Sequence, residues 1–247
     1  MSRPNVLLFI SHDTGRHISP CGIQEVNTPY AEKMAREGVN LTNVFCTSPL
    51  CAPARSSVVT GRYPHQNGVM GLPGPRTGEW DLYPEERHAA RIFGGAGYRT
   101  LLCGSEHETP DWHGRAGFDE AICGSGENHN GRGDLREYGK TFDAWLENLD
   151  ADTPFYCQVG CHETHHGYNY QDAEPDTSRG LWMPPHLVDS PELREEMAGL
   201  QGAVHRLDWG FGQLLEVLDR RGLAENTIVI FMTDHGIDLP LAKGTCF

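Results

Sequence analysis

Short apolar runs alternate along this chain with segments of helical pattern. Asn5–Ile10 and Thr227–Met232 are continuous apolar runs, typical of strands that are buried on both faces. Tyr98–Cys103 and Phe155–Gly160 have the same character, and Val39–Phe45 predicts a further strand. Because helical segments separate these runs, the pattern predicts an α/β fold with a mostly parallel central sheet.

The helical segments carry recognisable start and stop signals. Thr28 and Pro29 begin one helix, and Gly38 ends it. Arg55–Thr60 is a short helical segment, and Glu192–Arg221 is the longest one. Four glycines are expected to interrupt this longest segment, at positions Gly199, Gly202, Gly210 and Gly212.

Polar residues follow the first and the last of the predicted strands. His12 and Asp13 come after Asn5–Ile10, and Asp234 and His235 come after the last apolar run. Open α/β sheets bind their ligands at the carboxyl ends of the strands, so both pairs are expected at one ligand-binding edge. A purely structural role is the alternative for the two aspartates.

A motif between residues 51 and 62 carries the strongest chemical signal. It reads Cys-x-Pro-x-Arg and continues into Thr-Gly-Arg, beginning at Cys51. This resembles the signature of type I sulfatases, which belong to the alkaline phosphatase superfamily. The resemblance implies an α/β/α sandwich and conversion of Cys51 into a formylglycine nucleophile by a formylglycine-generating maturation enzyme. Arg55, one helical turn along, would clamp residue 51 or a sulfate oxygen. A buried structural thiol is the alternative for Cys51.

The resemblance also implies a divalent metal at the strand ends. Carried over by motif position, its ligands are His12, Asp13, Cys51, Asp234 and His235. In the family these positions hold oxygen ligands for calcium, whereas here His12 replaces an aspartate and His235 an asparagine. Calcium is therefore the first expectation, with Mn²⁺ or Zn²⁺ as the alternative, because imidazole suits transition metals better.

Further catalytic positions follow from the same resemblance. Gly104–His107 is similar to the family's Gly-Lys-x-His segment, which makes His107 catalytic. Ser105 stands where the lysine is expected, so a cation that would contact sulfate is missing there. Lys243 matches the family's second cationic residue, and a solvated surface lysine is the alternative reading.

His165 matches the second histidine of the family's His-x-Pro-His segment. This match makes His165 the candidate general acid for the leaving group. His162 and His166 compete for the same role. The segments at 65–72 and 226–231 are most similar to heparan N-sulfatases, so a sulfated saccharide or small molecule is the expected substrate.

Composition limits the classes of partner. The chain has 247 residues, enough for one large domain, and a formal net charge of −14. Such a field repels nucleic acid and anionic membranes, so a sulfated substrate needs local cations or a metal. The 8 cysteines are expected to be reduced thiols. A zinc site at Cys157 and Cys161 is a weaker alternative.

The two chain ends give further expectations. Residues 1–247 read as the N-terminal catalytic domain of a sulfatase, incomplete at the C-terminus because the chain stops soon after Lys243. An apolar sheet edge should then be exposed, which favours an oligomer. No signal peptide is evident, which predicts a cytoplasmic protein, or a periplasmic one if the start is incomplete. A phosphonate or phosphate ester hydrolase and a catalytically silent remnant are the alternative functions.

Overall fold

A five-stranded parallel sheet forms the centre of the molecule. The computed structural model describes residues 3–74, 77–124 and 133–244. The strands follow one another across the sheet in the order β3-β2-β4-β1-β5. Their bounds are β1 Asn5–Ser11, β2 Arg99–Gly104, β3 Glu120–Ile122, β4 Phe155–Gly160 and β5 Thr227–Thr233. The α/β fold with a parallel sheet is therefore confirmed.

Helices cover both faces of this sheet. Their bounds are α1 Pro29–Glu37, α2 Cys51–Thr60, α3 Pro64–Asn67, α4 Ala89–Gly95, α5 Leu135–Glu147 and α6 Pro191–Arg220. Short 3₁₀ turns lie at Ser19–Cys21, Tyr170–Asp172 and Ala224–Asn226, and a π turn lies at Trp112–Ala116. Alternate strand residues face opposite sides, since side chains in a strand repeat with period two. One set, including Phe9 and Cys157, packs against α5 and α6, and the other, including Leu8 and Tyr156, packs with Ala90 and Phe118.

The strand β1 is the hub of the sheet. Every residue of β1 is buried, and it pairs in parallel with β4 on one side and β5 on the other. Leu7 lies opposite both Cys157 and Val229 in this register. All neighbouring strands run in the same direction, so their carboxyl ends meet at one edge of the sheet.

The longest helix contradicts one expectation. Helix α6 runs from Pro191 to Arg220 without a break, and its four glycines do not interrupt it. A Cβ at Gly202 would lie 1.9 Å from the carbonyl oxygen of Glu174, and one at Gly212 would lie 2.4 Å from the ring of Tyr30. These two glycines therefore permit close packing of neighbouring segments onto the helix.

The strand predicted at Val39–Phe45 is wrong. These residues have an irregular conformation, and Val39 and Phe45 are 83% and 86% exposed. Residue propensity favours a strand here, but a strand also needs a hydrogen-bonding partner, and no described strand pairs with this segment. The edge strand β5 leaves Ile228 and Ile230 half exposed.

Two further findings concern the thiols and membrane-spanning helices. All seven cysteines within the described residues are free thiols, and Cys157 and Cys161 are buried. Neither belongs to a group of residues in the described ranges that could hold a metal, so the zinc alternative at this pair finds no support. None of the helices in the described ranges has the length and apolar character of a membrane span.

Close approach of β2 and β4 generates a stability prediction. Gly104 has φ +84°, and a Cβ there would lie 2.1 Å from both the carbonyl oxygen of Gly160 and the hydroxyl of Tyr138. We expect Gly104→Ala to lower the free energy of unfolding by at least ~2 kcal/mol, because it combines backbone strain with overpacking. Gly61 has φ +69°, and a Cβ there would have no atom within 4 Å, so Gly61→Ala is the matched control. Urea denaturation compares the two, and equal losses would contradict the overpacking argument.

Candidate active site

The carboxyl edge of the sheet gathers all the residues predicted for the site. Contacts within hydrogen-bonding or ring-packing distance connect the group directly. Its members are His12, Asp13, Cys51, Arg55, His107, His165, Asp234, His235 and Lys243. We call these nine residues the strand-end cluster. The fold therefore brings these predicted side chains together from five separate segments of the chain.

Cys51 lies at the centre of the strand-end cluster, as the first residue of α2. Its Sγ is 3.3 Å from Nε2 of His12, 3.2 Å from Nε2 of His235 and 3.8 Å from Oδ1 of Asp13. Burial, together with the charges of Asp13 and Asp234, raises the pKa of the Cys51 thiol to about 12. The unmodified thiol is therefore almost entirely protonated at neutral pH and is a poor nucleophile.

A buried ion pair holds the cluster in place. Nε of Arg55 donates to Oδ2 of Asp234 over 3.0 Å. The other oxygen of Asp234 accepts the backbone N–H groups of Asp13, at 3.0 Å, and His235, at 2.7 Å. Burial alone would lower the pKa of Arg55, but the charge of Asp234 leaves it raised. Arg55 thus provides a permanent positive charge beside residue 51.

The donor atoms around residue 51 fit a divalent cation. Oδ1 of Asp13 lies 3.5 Å from Nε2 of His12 and 3.2 Å from Nε2 of His235. His12, Asp13, Cys51 and Asp234 form a group of potential ligands whose donor atoms lie within 4.8 Å of one another, and His235 lies beside this group. Burial, followed by the charge of Arg55, holds the pKa of His12 well below its usual value, so its imidazole is neutral and can donate a lone pair. Two imidazole nitrogens among these donors suit a transition metal better than calcium.

Lys243 approaches the cluster from the segment after β5. Its Nζ lies 2.5 Å from Oδ2 of Asp13 and 3.2 Å from Oδ2 of Asp238. Burial would lower the pKa of Lys243, but the hydrogen bond and charge of Asp13 raise it. The reading of Lys243 as a solvated surface lysine is therefore wrong. Asp238 escaped the sequence reasoning because a single aspartate in a loop gives no signal of its partner.

Two histidines pack beside His12 in the strand-end cluster. The rings of His107 and His165 lie 5.6 and 5.1 Å from the ring of His12. Burial, followed by the charge of Arg55, lowers the pKa of His107 to about 4, so its ring is neutral at neutral pH. Thr164 ties the His165 segment to β1, because its backbone N–H donates to the carbonyl oxygen of His12 over 3.1 Å.

The two competing histidines occupy different places. His162 stacks on His165 with ring centres 5.1 Å apart, so it lies at the rim of the site. His166 instead pairs with Glu196 over 2.7 Å and is exposed. His166 is thus turned away from the cluster, whereas the ring of His165 packs directly on His12.

The position of the expected lysine is occupied by a small neutral residue. The backbone N–H of Ser105 donates to the carbonyl oxygen of Gly160 over 3.0 Å. The permanent cations that the described structure places at the cluster are Arg55 and Lys243. These two side chains are therefore the permanent positive charges that the described part of the site offers to an anion.

Comparison with known proteins agrees with this geometry. The model of the sulfatase family matches residues 4–244. The chain belongs to the sulfatase family. Among curated relatives, it is similar to a Formosa agariphila ulvan-active sulfatase, with 30% identity over 95% of this chain and 51% of that protein. It is also similar to human N-sulphoglucosamine sulphohydrolase, with 27% identity over 98% of this chain and 52% of that protein. This sulfatase chain therefore spans about half the length of these relatives.

Solved structures show the same fold. A protein in complex with its substrate D-glucosamine-2-N,6-O-disulfate superposes with a TM-score of 0.73 and 16% identity, over 95% of this chain and 66% of that one. The phosphonate monoester hydrolase of Agrobacterium radiobacter gives 0.67 and 19%, over 95% and 63%. The alkaline-phosphatase-like architecture expected for the sulfatase chain is confirmed.

A buried carboxylate near the site generates a pH prediction. Glu163 is 2% exposed, and neither of its carboxylate oxygens has a hydrogen-bond partner among the described residues. Burial raises the pKa of Glu163 to about 7 from its usual 4.5. The folded state therefore binds this proton more tightly than the unfolded state, so its contribution to stability is present below pH 4.5 and is lost as pH rises to about 7.

We expect Glu163→Gln to remove the loss of folding stability that ionisation of Glu163 causes as the pH rises. The variant should gain on the order of 2 kcal/mol of stability relative to the original chain at pH 8 and little at pH 4. Thermal unfolding at both pH values measures the difference, and Glu195→Gln on the exposed face of α6 is the control. An equal effect of Glu163→Gln at the two pH values would contradict the shifted pKa.

Proposed function

We propose that residues 1–247 form the catalytic part of a sulfatase that hydrolyses a sulfate ester or an N-sulfate through a formylglycine made from Cys51. The observation that carries the proposal is the place of Cys51, at the start of α2 and within 3.3 Å of both His12 and His235. Backbone N–H groups at the start of a helix favour a negatively charged oxygen nearby. The matching Cys-x-Pro-x-Arg motif adds support for the modification.

The electrostatics of the site favour a modified residue over a thiol. A pKa of about 12 leaves the Cys51 thiol protonated. A formylglycine hydrate supplies one hydroxyl that attacks sulfur and a second whose deprotonation expels the sulfate. His12 and His235, with Asp13, contact Sγ of Cys51, the atom that the oxygens of the hydrate would replace. These three residues would orient the nucleophile.

The remaining residues of the cluster supply charge and protons. Arg55 and Lys243 would bind the sulfate oxygens, because they are the cations beside residue 51. His107 is neutral and would donate a hydrogen bond to sulfate. His165 would protonate the leaving oxygen or nitrogen as general acid.

A divalent metal would be held by His12, Asp13, His235 and residue 51, with Asp234 as a further oxygen donor. When bound, it would neutralise negative charge on the sulfate. The two imidazoles favour Mn²⁺ or Zn²⁺ over the calcium first expected from the family resemblance. The C-terminal periplasmic domain of Escherichia coli EptC is a structural neighbour, with a TM-score of 0.70 and 17% identity to this chain. That domain was solved in complex with zinc.

The substrate class rests on the relatives. Their names refer to ulvan and to N-sulphoglucosamine, and a structural neighbour binds a glucosamine disulfate. We therefore propose a sulfated saccharide for this chain. Phosphonate or phosphate ester hydrolysis is the second candidate, favoured by Ser105 at the position of the sulfate-binding lysine.

The modification of Cys51 is the first prediction of this proposal. Protein made together with a formylglycine-generating enzyme should carry an aldehyde or its hydrate in the peptide that contains Cys51, as measured by mass spectrometry. The same protein should hydrolyse an aryl sulfate or N-sulfoglucosamine faster than an aryl phosphonate, and Cys51→Ala should lose this activity. A quantitatively modified protein without sulfate turnover would favour the phosphonate reading or a silent remnant.

The identity of the metal is a second prediction. Protein equilibrated with equal concentrations of Ca²⁺, Mn²⁺ and Zn²⁺ and then dialysed should retain a transition metal, measured by elemental analysis. His12→Asp should shift retention towards Ca²⁺, because it replaces an imidazole nitrogen with a carboxylate oxygen. His166→Asp, outside the cluster, is the control and should not change the selectivity. Calcium retention by the original chain would contradict the prediction.

A further inference from the structure

A network of buried polar side chains lies behind the active site. Its members are His88, Glu108 and Gln158, and all three are fully buried. They come from separate elements: His88 caps α4, Glu108 follows β2, and Gln158 lies within β4. Burying a polar side chain costs free energy unless that side chain is hydrogen-bonded. These three side chains therefore need hydrogen-bond partners inside the protein.

Glu108 is the centre of the network. Its Oε1 lies 3.5 Å from Nε2 of His88 and accepts from the amide of Gln158 over 2.5 Å. Nδ1 of His88 accepts the backbone N–H of Ala90 over 3.0 Å. The proton of a neutral His88 ring is therefore on Nε2, which faces the carboxylate. Glu108 is thus anchored to both a helix and a central strand.

The two carboxylates in this turn differ in their electrostatic surroundings. Burial would raise the pKa of Glu108, but the hydrogen bond of His88, with the charge of Arg55, lowers it to about 2, so Glu108 is ionised. Burial and the charge of Glu108 raise the pKa of Glu106 well above its usual range. Glu106 accepts the backbone N–H groups of Glu108 and Thr109 and the hydroxyl of Thr109, so it shapes the turn.

The network reaches the strand-end cluster through one backbone contact. Oε2 of Glu108 accepts the backbone N–H of His107 over 2.8 Å. We propose that Glu108 is a positioning residue that holds the backbone of His107, and thereby its imidazole, against the sulfate-binding side of the site. The charged carboxylate does so because it is fixed by His88 and Gln158 and faces the buried guanidinium of Arg55. The effect on turnover rests on the proposed sulfatase function, whereas the effect on the His107 ring does not.

The chain offers a matched control for this role. Glu106→Gln alters the other buried carboxyl of this turn, two residues away, and Glu108→Gln removes the charge of Glu108 while keeping its shape. Asp208→Asn alters a buried carboxylate that accepts the backbone N–H groups of Tyr30 and Ala31 at the start of α1, away from the cluster. Together these variants separate charge at Glu108 from local packing and from general loss of stability.

The experiment measures kcat and KM for an aryl sulfate and records the imidazole resonances of His107 by NMR. We expect Glu108→Gln to lower kcat roughly 10- to 100-fold, the effect typical of outer-shell partners, with a smaller change in KM. The His107 resonances should shift in this variant alone. Glu106→Gln and Asp208→Asn should keep kcat and the His107 resonances close to those of the original chain.

Other outcomes are decisive as well. Unchanged His107 resonances in a folded Glu108→Gln variant, or an equal loss of kcat in Glu106→Gln, would overturn the positioning role. If Glu108→Gln does not fold, His88→Gln weakens the same anchor, and an unchanged His107 ring there would also overturn it. If the original chain, with Cys51 converted, hydrolyses no sulfate, the proposed function fails while the NMR comparison still decides the role of Glu108.

Discussion

The buried ion pair between Arg55 and Asp234 is the interaction on which the site depends. It joins α2 to the end of β5, and the second oxygen of Asp234 holds the backbone at Asp13 and His235. Removing one partner of such a pair leaves an uncompensated buried charge, which typically costs ~3–5 kcal/mol. The same pair therefore fixes the position of α2 and Cys51, orients Asp13 and His235 and keeps a cation beside them. The geometry of the candidate site and local stability are coupled here.

The parallel sheet explains how residues that are far apart in the sequence meet in one site. Strands β1, β2, β4 and β5 all end at the same edge, so side chains that are more than 200 residues apart in sequence become neighbours. The hub strand β1 is buried along its whole length, which gives this edge a rigid base. The polar network of Glu108 extends the same principle, because it links the turn after β2 to β4 and α4.

The sequence predicted the parts of the molecule that are encoded locally. Continuous apolar runs gave β1 and β5, and the helical segment predicted at Arg55–Thr60 is the later part of α2, which begins at Cys51. The failures concern interactions with distant partners. Val39–Phe45 has strand propensity but no described partner strand, and the glycines of α6 fit close neighbours such as Tyr30 rather than breaks. The sequence does not indicate that Glu108 is buried, because a glutamate in a loop is normally exposed to solvent.

The burial of Cys51 has a consequence for the order of events during biosynthesis. Only 2% of this residue is accessible, and it is already part of a helix that the ion pair of Arg55 holds against the sheet. An enzyme that converts this thiol, as we propose, needs an access to Cys51 that the folded chain does not give. Under the proposed function, modification and folding therefore compete in time, and the modification has to come first. A chain that folds too quickly would become a stable protein with the wrong functional group at its centre.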